Sequence, residues 1–221
     1  MSLDHAIRPV KPAASQWFTA LLLALVSAIP VAVAIYLLVE LATGQVRPDT
    51  VRLFASPVPV VLHIVGAASF AIFGALQFVA AFRRRFPGWH RSAGRVLLAC
   101  GLLAGLTGLW MTLFYPRLPD TNDLLFVIRL VFSSAMLVFI ALGFAAIRRR
   151  DVPHHRAWIM RAYAIGLGAG TQALVFMLVE MTAGHPDQLG KALLMGGSWL
   201  LNLGIAELVI RPLPIRFAAC R

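Results

Sequence analysis

Six runs of about 20 apolar residues dominate this sequence and constrain its fold more than any motif does. A helix of about 20 residues is the length that crosses a hydrocarbon layer roughly 30 Å thick. With 60% hydrophobic and 13% charged residues, the chain is far too apolar for a water-soluble domain. It is therefore predicted to be an all-α integral membrane protein. The six predicted helices cover residues 17–39, 58–82, 93–115, 124–147, 158–181 and 189–210.

The basic residues are distributed unevenly between the two ends of these helices. When the ends are assigned alternately, 15 of the 20 Lys and Arg residues fall on one side, including both termini and two arginine-rich loops. The positive-inside rule makes that side cytoplasmic. The predicted location is the bacterial cytoplasmic (inner) membrane, crossed several times. The net charge of +11 then reflects topology and contact with anionic lipid, so the lipid bilayer is the expected partner and nucleic acid is not.

Part of the sequence repeats itself at an offset of 65 residues. Helices two and three resemble one hairpin, and helices four and five resemble its copy in the same orientation, with a pseudo-two-fold axis along the membrane normal. This pattern predicts a four-helix core of two parallel-repeat hairpins over residues 58–182, within a single membrane domain of residues 1–221. The repeated positions include Arg83-Arg84-Arg85 and Arg148-Arg149-Arg150, His90-Arg91 and His155-Arg156, and Gly101 and Gly166.

Two motifs indicate a family. One is Pro87-Gly88-Trp89-His90-Arg91-Ser92-Ala93-Gly94-Arg95, and the other is His155-Arg156-Ala157-Trp158-Ile159-Met160-Arg161-Ala162-Tyr163. With His63 on the preceding Gly- and Gln-bearing helix, they resemble the bacterial membrane family catalogued as domain of unknown function 2306. The resemblance covers residues 58–182 and leaves the first and last helices as flanks. It implies an architecture rather than an activity.

A looser likeness exists to four-helix b-type cytochromes, which hold haem between well-embedded histidines. This sequence departs from their pattern, because only His63 lies clearly within the predicted hydrocarbon layer. The likeness implies a redox role, and the departure leaves the number and position of haem ligands open.

His63 and Arg129 are the first candidate site. Each lies about five residues into its helix on the outer side, and ionisable groups at such depth are costly enough to suggest a function. His63 could ligate a haem iron or hydrogen-bond a quinone carbonyl, while Arg129 pairs with a propionate or another anion. In the alternative, His63 hydrogen-bonds a neighbouring helix, and Arg129 reaches the interface or pairs with Glu180.

His90 and His155 are the second candidate site. They occupy equivalent positions of the repeat at the starts of helices three and five, where they could form a bis-histidine haem site. Both histidines border arginine loops, so helix ends anchored beside lipid phosphate are the alternative. Haem iron bound by His63, His90 or His155 is the metal site that the sequence suggests.

Three classes of function remain open. The first is a redox-linked membrane protein that binds b-type haem or quinone, and the second is an accessory or assembly subunit of a larger membrane complex. The third is a small-molecule or proton-coupled transporter. Transport is disfavoured because no helix shows a centre broken by glycine or proline with a polar site at the midplane, apart from the kink that Pro30 predicts in the first helix. The sequence does not decide whether the protein is an enzyme.

Overall fold

The computed structural model describes residues 13–48, 50–119 and 121–211. Within these ranges the chain is mostly helical and contains no strand, and six of its helical stretches are long and apolar enough to cross a membrane. The predicted all-α membrane fold is confirmed. Both termini, which the charge distribution assigns to the cytoplasm, lie outside the described ranges.

Ten helices make up the described part of the chain. The first span consists of α1 and α2, the fifth consists of α8 and α9, and α4, α6, α7 and α10 are the other four. The helices are α1 Ala13–Val26, α2 Ala28–Thr43, α3 Val51–Ala55, α4 Pro57–Gln77, α5 Ala80–Arg85, α6 Pro87–Phe114, α7 Asp123–Arg148, α8 Val152–Gly166, α9 Gly168–Ala183 and α10 Gln188–Ile210.

The third and fifth spans begin six residues earlier than the sequence predicts. Helix α6 starts with Pro87 in its first turn, where a missing N–H costs nothing. Helix α8 is capped by Asp151, whose side chain accepts a hydrogen bond of 3.2 Å from the His154 N–H. The prediction from apolar runs missed these first turns because they carry basic residues. His90 and His155 therefore lie on helices.

Glycine residues lie at positions where two helices pack closely together. Helix α4 packs along α6, α7 packs along α8, and α10 lies against α7, α8 and α9. A Cβ on Gly66 would lie 2.8 Å from the Cys100 carbonyl oxygen, so only glycine allows α4 and α6 to approach this closely. Helix α1 covers the outside of α4.

The centre of the bundle is filled by the ring of Phe70 on α4. A Cβ on Gly101 would lie 2.9 Å from this ring, and a Cβ on Gly166 would lie 3.0 Å from it. Tyr163 packs beside the ring and donates a hydrogen bond of 2.6 Å to the Ala71 carbonyl. Gly101 and Gly166 are related by the 65-residue offset and contact the same ring, although the internal repeat itself stays a prediction.

Two of the six spans are interrupted near their middles. The first is broken at Ser27, because Pro30 has no N–H to bond the Val26 carbonyl. The fifth is broken at Leu167, between Gly166 and Gly168, so the expectation that only the first helix has a broken centre is wrong. Glycine is tolerated in membrane helices, and for that reason the sequence did not reveal the second break.

Side chains of α10 satisfy the carbonyls that the second break leaves open. The Trp199 indole N–H donates to the Ile165 carbonyl at 3.1 Å, and the Asn202 amide donates to the Ala164 carbonyl at 3.2 Å. The Thr171 hydroxyl in turn donates to the Asn202 side-chain oxygen at 2.9 Å. The interrupted span is therefore stabilised by a polar network inside the bundle.

Candidate functional site

His63 is tied to the neighbouring helix. Its Nδ1 lies 2.9 Å from the Ala104 carbonyl oxygen and 3.3 Å from the Thr107 hydroxyl, both on α6. The ring packs on Gly108, where a Cβ would lie 3.3 Å from His63 Cε1. A hydrogen bond from Nδ1–H to a carbonyl fixes the tautomer of the neutral ring, in which Nε2 is the unprotonated nitrogen.

Arg129 is directed toward a different neighbour. It is the seventh residue of α7, and its Nη2 lies 3.9 Å from the sulfur of Met195 on α10. It also borders a small pocket at the end of the bundle that carries residues 44–48, 115–119 and 184–187, which we call the opposite end. Glu180, the alternative partner for Arg129, contacts His185 at 3.3 Å. A shared ligand of His63 and Arg129 stays a prediction.

His155 and His90 lie together at the other end of the bundle, which carries residues 78–86 and 149–151 and which we call the basic end. His155 Nδ1 lies 2.8 Å from the Gly143 carbonyl oxygen on α7, so this imidazole bridges two helices. His90 interacts electrostatically with His155 and with Arg83. Its Nδ1 is buried and has no hydrogen-bond partner among the described residues.

Gln77, the last residue of α4, lies at the same end of the bundle. Both atoms of its side-chain amide are buried without a hydrogen-bond partner in the described part of the chain. Its Oε1 lies 3.8 Å from the position of a Cβ on Gly94, which is one helical turn beyond His90 on α6. Sequence reasoning did not select Gln77 as a site residue, although a polar amide inside the apolar run of residues 58–82 was a usable signal.

The electrostatic surroundings of Gln77 and His90 are positive. Burial, together with the nearby Arg156 and Arg84, lowers the pKa of Arg83. The carboxylates described at this end engage other cations, since Asp151 contacts His154 at 2.7 Å and Glu207 contacts Arg211 at 3.3 Å. Glu207 also accepts both of its hydrogen bonds from Arg161. We call Gln77, His90, His155, Arg83 and Arg156 the basic-end cluster.

Tyr163 packs against two other aromatic rings, those of Phe70 and Phe78. The rings of Phe78 and Tyr163 have centroids 4.9 Å apart, and those of Phe70 and Tyr163 are 5.7 Å apart. Haem bound by both His90 and His155 stays a prediction.

Comparison with known proteins gives one match. A family model described as "Predicted membrane protein (DUF2306)" matches residues 60–210. The matched region continues beyond residue 182 through α10, so the last helix is part of the family region and not a flank. No curated protein and no solved structure matches the chain.

Proposed function

This chain belongs to the DUF2306 family of predicted membrane proteins, and we propose that it binds the head group of a membrane quinone at the basic end of its bundle. The observation that carries the proposal is the pair of buried polar side chains, Gln77 and His90, that have atoms without partners in the described residues. A buried donor or acceptor left unpaired costs about 1–3 kcal/mol, so such groups call for a ligand or water.

The chemistry of these side chains suits a quinone. Its two carbonyl oxygens are hydrogen-bond acceptors, and the Gln77 amide and an imidazole N–H are donors. Arg83 and Arg156 interact electrostatically with each other beside the pair, and their charge favours the more negative, reduced form of the head group. When bound, the quinone would supply the redox chemistry, and the side chains would hold and orient it.

An apolar groove offers a path for the quinone tail. It lies between α1 and α4 and has a volume of about 290 Å³. Its walls include Trp17, Phe73 and Leu76, and Leu76 directly precedes Gln77. An isoprenoid chain in this groove would be shielded from water while the head group stays at the membrane edge.

Quinone titration of the purified protein in nanodiscs tests the proposal. We expect saturable binding of a short-tail quinone, followed by tryptophan fluorescence, and at least about tenfold weaker binding for Gln77→Leu and His90→Leu, because each loses a hydrogen bond. Ser92→Ala is the matched control on the same helix, since this exposed hydroxyl bonds only the Gly88 and Trp89 carbonyls of its own turn. The control should bind like the wild type.

Two results would reject quinone binding. One is the absence of saturable binding, and the other is equal affinity of the Leu variants and the wild type when all of them fold. Soret and alpha bands in a reduced-minus-oxidised optical spectrum would show that the protein binds b-type haem and not quinone. A colourless protein that binds no quinone and co-purifies with a stable membrane complex would support the accessory-subunit alternative.

A further inference from the structure

We infer that the basic end of the bundle binds the phosphate group of an anionic phospholipid on an exposed surface formed by Arg84 and Arg85 of α5 and Arg91 of α6. We call these three side chains the interfacial arginines. All three are exposed, and the short helix α5 connects the second and third spans. The inference concerns the outside of the molecule and does not depend on quinone binding.

Helix α5 is held against the bundle by its apolar side. Val79, which directly precedes it, is fully buried and packs with Ala20 of α1 and Ala75 of α4. The backbone N–H of Ala81 donates a hydrogen bond of 3.1 Å to the side-chain oxygen of Gln16 on α1. The arginines that end this helix are exposed. Their charges are therefore presented from a backbone that is fixed by packing.

Aromatic rings beside α5 indicate its depth in the membrane. The Phe82 ring has its centroid 5.9 Å from that of Trp17 on α1 and 4.8 Å from that of Trp89 on α6. Trp17 is 44% exposed and Trp89 is 36% exposed. Tryptophans at the ends of membrane helices favour the interface, where the lipid head groups lie. The interfacial arginines are therefore at the depth of the lipid phosphates.

The interfacial arginines carry charge that the described residues do not neutralise. None of them forms an ion pair with a carboxylate in the described part of the chain. The two carboxylates described at this end contact other cations, since Asp151 contacts His154 and Glu207 contacts Arg161. The surface is therefore open to an external anion.

The sequence outside the described ranges does not reverse this balance. Residues 1–12 and 212–221 contain four Lys and Arg residues and one acid, Asp4. The other acids outside the described ranges, Asp49 and Asp120, adjoin segments of the opposite end in the sequence. One carboxylate does not neutralise three guanidiniums, so the surface stays positive.

The chemistry of a lipid phosphate suits these side chains. A guanidinium is a planar fork of N–H donors that bonds two phosphate oxygens at once. The cytoplasmic leaflet carries anionic lipid, and the positive-inside rule predicts that the basic end faces it. A zwitterionic head group adds a positive charge that the arginines repel. We therefore expect selection of a head group with net negative charge.

Native mass spectrometry of the full-length protein in a neutral detergent tests the inference. Phosphatidylglycerol and phosphatidylcholine of the same chain length are titrated separately. We expect saturable binding of phosphatidylglycerol, tighter than that of phosphatidylcholine. The double variant Arg84→Gln/Arg85→Gln should bind phosphatidylglycerol at least about tenfold more weakly, because each surface charge contributes about fivefold. Both side chains are exposed, so this variant should fold like the wild type.

Two controls separate this surface from a general effect of charge. Arg84→Lys/Arg85→Lys keeps both charges and should bind more tightly than the Gln variant, although it loses the planar fork. Arg117→Gln removes a half-exposed charge at the opposite end and should leave the affinity unchanged.

Four results would overturn the inference. The first three are equal affinity for the two lipids, wild-type affinity of Arg84→Gln/Arg85→Gln, and an equal loss of affinity in Arg117→Gln. The fourth is displacement of the lipid by inorganic phosphate at the same concentration, which would indicate a site for a free anion.

Discussion

Two groups of polar side chains inside the described bundle differ in their hydrogen-bond partners. His63, His155 and Tyr163 each contact a backbone carbonyl of another helix at 2.6–2.9 Å, which is short enough for a full hydrogen bond. Gln77 and the Nδ1 of His90 have no such partner among the described residues. The first group joins helices, and the second group is where we expect a ligand.

Trp199 belongs to the group that joins helices and allows a clean test. Trp199→Phe removes the indole N–H that donates to the Ile165 carbonyl. It keeps an aromatic ring that can stack on Phe132, whose centroid lies 4.8 Å from that of the Trp199 ring. We expect a loss of about 0.5–1.5 kcal/mol in the free energy of unfolding, the usual range for one such bond. The measurement is reversible unfolding in mixed micelles.

Trp110→Phe is the control for this change. Trp110 is 50% exposed and packs on Phe114, a ring contact that does not depend on its N–H. Its replacement should leave stability within about 0.5 kcal/mol of the wild type. Equal losses in the two variants would show that ring size, and not the hydrogen bond, matters at Trp199.

The candidate residues could be predicted only in part from the sequence. His63, Arg129, His90 and His155 stood out because charge is rare in apolar helices, and the structure brings His90 and His155 together. The sequence could not show that the imidazole partners are carbonyls, because backbone atoms are the same at every position. Gln77 became a candidate only when the fold buried its amide beside Gly94 without a hydrogen-bond partner among the described residues.

At the scale of helices, the two interrupted spans meet at their breaks. Gly170 on α9 packs directly on the Val26 carbonyl of α1, and a Cβ there would lie 2.8 Å from the carbonyl carbon and 2.7 Å from Val26 Cγ1. The Pro30 ring frees that carbonyl, and the absence of a side chain at Gly170 makes room for it. The two spans therefore pack against each other beside their breaks.

Gly170→Ala should separate these two spans. The added methyl group meets backbone atoms that cannot rotate away, so we expect destabilisation of about 1–3 kcal/mol, measured as unfolding free energy or as a lowered Tm in detergent. Gly197→Ala is the matched control, because nothing lies within 4 Å of its Cβ position. That variant should be neutral or up to about 1 kcal/mol more stable, as alanine favours helices. Destabilisation by Gly197→Ala alone would contradict this account.

The helices themselves followed from the sequence far better than their ends and breaks. Their number and order depend on apolar length, which the hydrocarbon layer imposes on any spanning helix. The kink at Pro30 was visible because proline lacks an N–H, whereas the break at Leu167 is stabilised by Trp199 and Asn202, over 30 residues away. Local patterns cannot report a partner at that distance.

At the scale of the whole molecule, the orientation in the membrane follows from the distribution of charge. The positive-inside rule predicts that the basic end faces the cytoplasm. In a background without native cysteines, Pro119→Cys should react with a membrane-impermeant maleimide added to intact cells. Asp151→Cys should react only after the membrane is permeabilised, and the opposite pattern would invert the predicted topology.

The Phe70 ring, wedged between Gly101 and Gly166, has a consequence for the two ends of the molecule. With buried Ile140 and Met136 around it, the described centre of the bundle is a layer of low dielectric that charge crosses only at high cost. We therefore expect a proton exchanged at His90 to equilibrate with the compartment at the basic end.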